Sequence, residues 1–268
     1  MTSVKSMAGL LHPPSSTVRL IVALRAYLDE SGTHWSGPQA CDVFVLCGYI
    51  APESLWDDKT ERGFLSNWNS IMHDKPFHAT EMESNPQGPS VKLELANKVN
   101  KSGVIGIGGG IDIPAYNRVL KPHIKKNQKD DPYLFLFADV ITAAVKYGGM
   151  FIGEDQRESI GFVFANHKRW SIVAHEFYHY VRNDPDTPPG VKEKMGAVGF
   201  EDIDRFIPLQ AADHLAFETY HRMNDPEGSP ARPAMNRLMD WPQNHGNYYD
   251  EKQLLHYVEL CKQDGILR

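Results

Sequence analysis

The stretch RLIVALRAYLDESG at residues 19–32 gives the clearest fold signal in the chain. Its first part, up to Leu28, is rich in β-forming side chains, and the DESG that follows has the composition of a turn. The pattern predicts a strand with the carboxylate of Asp29 at its tip. Because the sheet fixes the backbone at a strand tip, Asp29 is well placed to hold a ligand. The structural alternative is that Asp29 caps its own turn.

The segments around this strand predict an α/β fold. VFVLCGYIAP at residues 43–52 follows across a Gly/Pro loop, as in a hairpin, and VIGIGGGIDI at residues 104–113 predicts a third strand. Two further strands are predicted at residues 160–165 and 195–200, where they alternate with helices. Strands in hairpin order followed by strands that alternate with helices indicate a mixed β-sheet flanked by helices.

The predicted helices include one from about residue 54 to residue 72 and an almost wholly apolar one within residues 132–147. A late helix, PLQAADHLAFETYHRM, opens with Pro208, a residue suited to a first helical turn. Residues 225–247, rich in Pro, Gly and Asn, form an excursion before a terminal helix that begins near Asp250.

Length and composition predict one domain. The chain has 268 residues, 41% of them hydrophobic, so we expect a single domain at residues 19–268 with a C-terminal helical extension, after a flexible leader at residues 1–18. Its three cysteines include no CxxC pair, which indicates a reducing compartment, and we expect a cytoplasmic protein. The apolar run at residues 20–24 is too short for a membrane span, so no membrane partner is expected.

The charge balance limits contact with nucleic acid. A net charge of −6 argues against a protein coated in basic side chains, so a nucleic-acid partner would need a local basic groove. Two clusters of basic residues are candidates for this groove. They are Lys121, Lys125, Lys126 and Lys129, and His167, Lys168 and Arg169.

Three motifs carry a family resemblance: AYLDESG at residues 26–32, FHATEME at residues 77–83 and PLQAADHLAFE at residues 208–218. In this order and spacing they resemble the bacterial family catalogued as domain of unknown function 3800, which is placed among RNase H-like proteins. The resemblance spans roughly residues 25–222. It implies an RNase H-like sheet whose first strand ends at Asp29, with Asp213 approaching from a late helix.

Acidic residues at these positions suit metal-dependent phosphodiester hydrolysis. Mg²⁺ or Mn²⁺ prefers carboxylate oxygens, and a two-metal site needs three or four converging carboxylates. We predict Asp29 and Asp213 as catalytic metal ligands. Gln210 lies three residues before Asp213 and shares its helix face, so it is predicted to bind substrate. The alternative for Asp213 is a surface charge on the helix.

The remaining site residues come from the second motif and from a predicted strand end. The family match implies that His78 orients a phosphate or a water and that Glu81 acts as a catalytic acidic residue. Asn166 follows the strand at residues 160–165, where RNase H-like proteins usually present another acidic residue. Its amide can ligate Mg²⁺ or contact substrate, but it adds no charge, so a second metal would bind more weakly.

A competing motif occurs in IVAHEFYHYV at residues 172–181. His175 and His179 lie one turn apart on the predicted helix and match the HExxH signature of zinc hydrolases, with Glu176 as the general base. Glu193 or Glu201 would have to supply the third zinc ligand. The structural alternative is an amphipathic helix with half-exposed histidines. The sequence thus leaves three hypotheses open: a Mg²⁺- or Mn²⁺-dependent nuclease or phosphodiesterase, a Zn²⁺-dependent hydrolase, and a non-catalytic binding protein.

Overall fold

The structure is a computed structural model. The residues that it describes are 24–33, 41–57, 63–124, 130–151, 158–225, 229–230, 232–240 and 242–263. The predicted leader at residues 1–18 and the candidate basic residues Lys125, Lys126 and Lys129 lie outside these ranges.

Six strands form one mixed sheet in the described part of the chain, in the order β5-β4-β1-β2-β3-β6. The strands are β1 (Leu24–Ser31), β2 (Val43–Pro52), β3 (Ile105–Asp112), β4 (Ile160–Ala165), β5 (Met195–Glu201) and β6 (Asn244–Tyr249). β2 pairs antiparallel with both β1 and β3, whereas β4 runs parallel to β1 and to β5, and β6 runs parallel to β3. The predicted hairpin and the predicted mixed sheet are both confirmed.

Eleven α-helical segments are described, together with a π turn at Tyr116–Leu120 and 3₁₀ turns at Lys121–His123 and Ile203–Arg205. The α-helices are α1 (Glu53–Trp56), α2 (Phe64–Met72), α3 (Ala79–Ser84), α4 (Gly88–Val99), α5 (Ile113–Ala115), α6 (Pro132–Gly148), α7 (Ser171–Asn183), α8 (Pro189–Lys194), α9 (Ile207–Asn224), α10 (Pro233–Met239) and α11 (Glu251–Gln263).

Helices cover both faces of the sheet because side chains alternate along each strand. On β1, Leu24, Ala26 and Leu28 pack into a core formed with α6, α7 and α11. Tyr27 points the other way, into a second core formed with α1, α2, α4, α9 and α10. The protein is therefore an α/β fold with helices flanking a mixed sheet, as predicted. None of the helices in the described ranges is long and apolar enough to cross a membrane.

The structure differs from the sequence prediction in two segments. The helix predicted from about residue 54 to residue 72 is two helices, α1 and α2, and residues 58–62 between them lie outside the described ranges. The excursion at residues 225–247 contains α10 and most of β6, an edge strand that the sequence did not reveal. The terminal helix begins as predicted, because the Asp250 carboxylate accepts a hydrogen bond of 2.8 Å from the backbone N–H of Gln253.

Candidate functional site

Two predicted acidic residues, Asp29 and Asp213, meet on one face of the sheet. Asp29 lies near the carboxyl end of β1, opposite Cys47 of β2, and strand alternation puts it on the same face as Tyr27. α9 lies across β1 and β2 on that face and carries Asp213. The fold thus brings together two carboxylates that are far apart in the sequence.

Burial and mutual repulsion disfavour the charged forms of the two carboxylates and raise their pKa values. Burial raises the pKa of Asp29 well above its usual range, and repulsion from Asp213 and then from Glu30 raises it further. Burial also raises the pKa of Asp213 to about 6, although a hydrogen bond from Ala79 and attraction to His78 oppose the shift. Neither carboxylate forms an ion pair with a lysine or arginine of the described residues. A cation at this position would relieve both burial and repulsion.

The FHATEME motif is held against the start of α9. The side-chain oxygen of Gln210 accepts hydrogen bonds of 3.1 Å from Trp68 Nε1 and from the backbone N–H of Phe77. Its amide nitrogen donates to the backbone oxygen of Ile203 at 3.2 Å. Gln210 is 0% exposed, so the structure gives it a positioning role. That Gln210 also binds substrate stays a prediction.

Two residues further along the same motif, the chain reaches the acidic pair. The backbone N–H of Ala79 donates a hydrogen bond of 2.8 Å to Asp213 Oδ2 and so fixes the direction of this carboxylate. His78 Nε2 lies 2.6 Å from Asp204 Oδ1, and both side chains are partly exposed. Glu81 lies on the exposed side of α3 and forms no hydrogen bond or ion pair among the described residues. The structure thus joins His78 to the acidic pair and leaves Glu81 to solvent.

The Asn166 side chain is directed away from the acidic pair, towards the opposite face of the sheet. Its side-chain oxygen accepts a hydrogen bond of 2.9 Å from Ser171 Oγ at the start of α7, a helix that covers the opposite face. Val163 packs on the α9 face, so Ala165, two residues later, takes the position on β4 beside Asp29. β4 therefore offers a methyl group to the acidic pair, and a substrate contact for Asn166 stays a prediction.

Glu30 is a further acidic residue that the sequence analysis did not single out. It pairs with Leu46 on β2, and Leu46 packs in the α6 core, so Glu30 faces away from Asp29. Burial raises the pKa of Glu30 to about 8, and its own backbone N–H only partly offsets this. Glu30 thus lies on the opposite face, with a pKa well above that of an ordinary carboxyl group. The sequence distinguished Glu30 only by its position next to Asp29 in the DESG motif.

A group of four charged residues, of which Lys92 and Glu218 are buried, lies around Glu218 further along α9. Glu218 accepts hydrogen bonds from Lys92 Nζ at 2.9 Å and from Arg232 Nε and Nη2 at 2.8 and 2.9 Å. Glu83, the last residue of FHATEME, binds the same two cations. Both cations also lie over the ring of Phe217, 5.0 and 5.5 Å from its centre. We call Glu83, Lys92, Glu218 and Arg232 the charge cluster; it ties α3, α4 and α9 to the residue before α10.

The HExxH motif lies on an exposed face of α7. His175, Glu176 and His179 are all exposed, and the Nε2 atoms of the two histidines are 3.3 Å apart. Among the described residues, no three or more His, Cys, Asp or Glu side chains form a group that could hold a metal ion. A third zinc ligand, for which Glu193 and Glu201 were the candidates, therefore stays a prediction.

Two further charged residues, Asp139 and Lys121, have structural partners. Asp139 on α6 accepts hydrogen bonds from Tyr249 at 2.7 Å and from Asn247 at 3.2 Å. Lys121, a candidate for the basic groove, forms an ion pair of 3.1 Å with Asp130. The charges of Asp139 and Lys121 therefore have partners within the protein and need no ligand.

Comparisons with protein-family models, with curated proteins and with solved structures found no match to this chain. We therefore interpret the site from its own geometry.

The burial of Asp213 leads to a stability prediction. Its folded pKa of about 6 exceeds its ordinary value of 3.8, so between these pH values the folded protein binds more protons than the unfolded chain, and stability falls as the pH rises. In EDTA at pH 7.5, Asp213→Asn should therefore raise the free energy of unfolding by about 1–2 kcal/mol. Urea denaturation at pH 5 and pH 7.5 measures this, and the gain should shrink at pH 5. A variant less stable than the wild type at pH 7.5 would contradict the prediction.

Proposed function

We propose that this protein is a divalent-metal-dependent phosphodiester hydrolase, a nuclease or phosphodiesterase of the RNase H-like type, with Asp29 and Asp213 as its metal ligands. The observation that carries the proposal is the pairing of the buried Asp29 with the partly buried Asp213, with which no lysine or arginine of the described residues forms an ion pair. Such a pair is costly in the folded state unless an ion compensates its charge. The cost of keeping the two carboxylates together therefore supports a role in binding a cation.

The placement of the pair also supports the family that the motifs suggest. The resemblance to the domain of unknown function 3800 family implies an acidic residue at the end of the first strand and a second one on a late helix. Asp29 at the end of β1 and Asp213 on α9 have this arrangement. The three free cysteines are in keeping with the proposed cytoplasmic location.

Mg²⁺ or Mn²⁺ fits the donors that the structure provides. Both side chains offer hard carboxylate oxygens, and Mg²⁺ in enzymes is commonly held by one or two carboxylates together with water and substrate phosphate. A two-metal site would need a third or fourth carboxylate, and β4 presents Ala165 at the position nearest Asp29. We therefore propose one ion. When bound, it would polarise a phosphoryl oxygen and lower the pKa of a water ligand.

The protein's own groups would orient this chemistry. The backbone N–H of Ala79 holds one oxygen of Asp213, so that its other oxygen is directed without rearrangement. His78, kept in place by Asp204, lies near enough to Asp213 to attract its charge and can donate to a substrate phosphate. A nucleic acid is the proposed substrate class, and His167, Lys168 and Arg169, which follow the carboxyl end of β4, are the basic residues proposed to contact it.

The test is hydrolysis of single-stranded DNA, double-stranded DNA, RNA and bis(p-nitrophenyl) phosphate in Mg²⁺, Mn²⁺ or EDTA. We expect cleavage of at least one substrate that depends on the ion and falls to the EDTA level in Asp29→Asn and in Asp213→Asn. Asp139→Asn is the matched control, because Asp139 is also a partly buried carboxylate but lies on the opposite face and accepts a hydrogen bond from Tyr249.

Thermal unfolding of each variant shows whether it is folded. Cleavage that persists in folded Asp29→Asn, or that is lost equally in folded Asp139→Asn, would contradict the assigned site. Ion binding without any cleavage would favour a non-catalytic binding protein on the same scaffold.

A further inference from the structure

The histidine pair on α7 has the geometry of a metal chelate, independent of the acidic site. His175 and His179 lie one helical turn apart, with ring centres 4.6 Å and Nε2 atoms 3.3 Å from each other. A zinc–imidazole bond is about 2.0–2.1 Å long. Two nitrogens 3.3 Å apart at this bond length subtend an angle of about 110° at the ion, the tetrahedral value.

The nitrogens already point at each other. The two Nε2 atoms are within hydrogen-bonding distance of each other, so both face the space between the rings. A bound ion would take the Nε2 lone pairs of both neutral rings, each with its proton on Nδ1, without a change of helix geometry. Partial burial, repulsion from His175 and repulsion from Arg182 lower the pKa of His179, which favours the neutral imidazole that binds metals.

We propose that His175 and His179 form a two-histidine surface site for borderline transition-metal ions such as Zn²⁺ and Ni²⁺. The ligand type selects these ions over Mg²⁺, because imidazole suits Zn²⁺, Cu²⁺ and Ni²⁺ whereas Mg²⁺ prefers oxygen. A catalytic zinc site has three protein ligands, and the described residues supply two here. The role proposed for the HExxH match is therefore metal binding by two histidines, and zinc hydrolysis with a third ligand stays a prediction.

The experiment is isothermal titration of the full-length Asp29→Asn/Asp213→Asn variant, which lacks the acidic site, with NiCl₂ and with ZnCl₂ in the presence of excess Mg²⁺; the histidine variants are made in this background. We expect one ion per chain at this site, and loss of that binding event in His175→Ala and in His179→Ala. Both side chains are exposed, so these variants should fold like the parent variant. Bound ion should also slow hydrogen exchange of the α7 amides, because the chelate joins two successive turns of the helix.

Two control variants test whether binding depends on the spacing of His175 and His179 or only on the number of exposed histidines. His256→Ala removes an exposed histidine from α11 and should leave the binding event unchanged. The double variant His179→Ala/Tyr180→His keeps two exposed histidines on α7, because Tyr180 is 63% exposed, but places them five residues and about 140° apart. We expect no binding event in this variant. Retained binding there, or equal binding in the parent variant and His175→Ala, would overturn the proposal.

Discussion

Glu218→Ala is expected to lower the free energy of unfolding by about 3–5 kcal/mol, because it removes the buried acceptor of the charge cluster. The Glu218 side chain is 1% exposed and binds Lys92 and Arg232 at once. Without it, Lys92, which is itself buried, keeps Glu83 as its one anionic partner among the described residues. An ammonium group left in the interior with one partner cannot regain the water that it lost on folding.

The matched control is Glu83→Ala. Glu83 binds the same two cations, but its side chain is 44% exposed. Hydrogen bonds from Arg232 contribute most to lowering its pKa, to about 2, yet water screens these contacts and can replace them. We expect a loss of about 1 kcal/mol or less for this variant. Equal losses for Glu83→Ala and Glu218→Ala would contradict the importance of burial in the charge cluster.

The effect of Glu218 should depend on pH in a defined direction. Burial alone would raise its pKa, but hydrogen bonds from Arg232 and then from Lys92 outweigh burial and lower it. A carboxylate with a lowered folded pKa stabilises the protein above its unfolded pKa of about 4.3, and this stabilisation is lost as the pH falls through the folded value. The difference between wild type and Glu218→Ala, measured by urea denaturation, should therefore narrow in acid.

The central strands were predictable because their signals are local. β2 has the predicted bounds, since VFVLCGYIAP is an unbroken run of β-forming and apolar residues that ends at a proline. β6 was not predictable, because NHGNYY is a half-exposed edge strand without apolar alternation. Its partner β3 lies more than 100 residues earlier in the chain, and nothing in the local pattern announces such a parallel pairing.

The acidic site was predictable in part. Asp29 and Asp213 were found through motif order, and the structure brings them together. The side of the sheet that Asn166 faces depends on the register of β4 with β1, and a shift of one residue reverses it. The charge cluster was missed for a related reason: Glu83 and Arg232 are 149 residues apart, and each alone looks like an ordinary surface charge.

The second large effect is expected for Gln210→Leu. Leucine has a similar size but cannot accept from Trp68 Nε1 and the Phe77 N–H, nor donate to the Ile203 oxygen. Each buried polar group left without a partner costs about 1–3 kcal/mol. Because the two donors, Trp68 Nε1 and the Phe77 N–H, are buried, we expect a total loss of about 2–6 kcal/mol in the free energy of unfolding. Urea denaturation measures this loss.

Trp68→Phe is the control for Gln210→Leu, because it removes one of the two donors and leaves the other two hydrogen bonds of Gln210 in place. It should cost less than Gln210→Leu. The comparison also separates two roles of Gln210. If Gln210 positions FHATEME, and through Ala79 the carboxylate of Asp213, then stability and metal-dependent cleavage should fall together in Gln210→Leu. A variant that keeps wild-type stability and loses only cleavage, through a raised KM, would instead assign Gln210 to substrate binding.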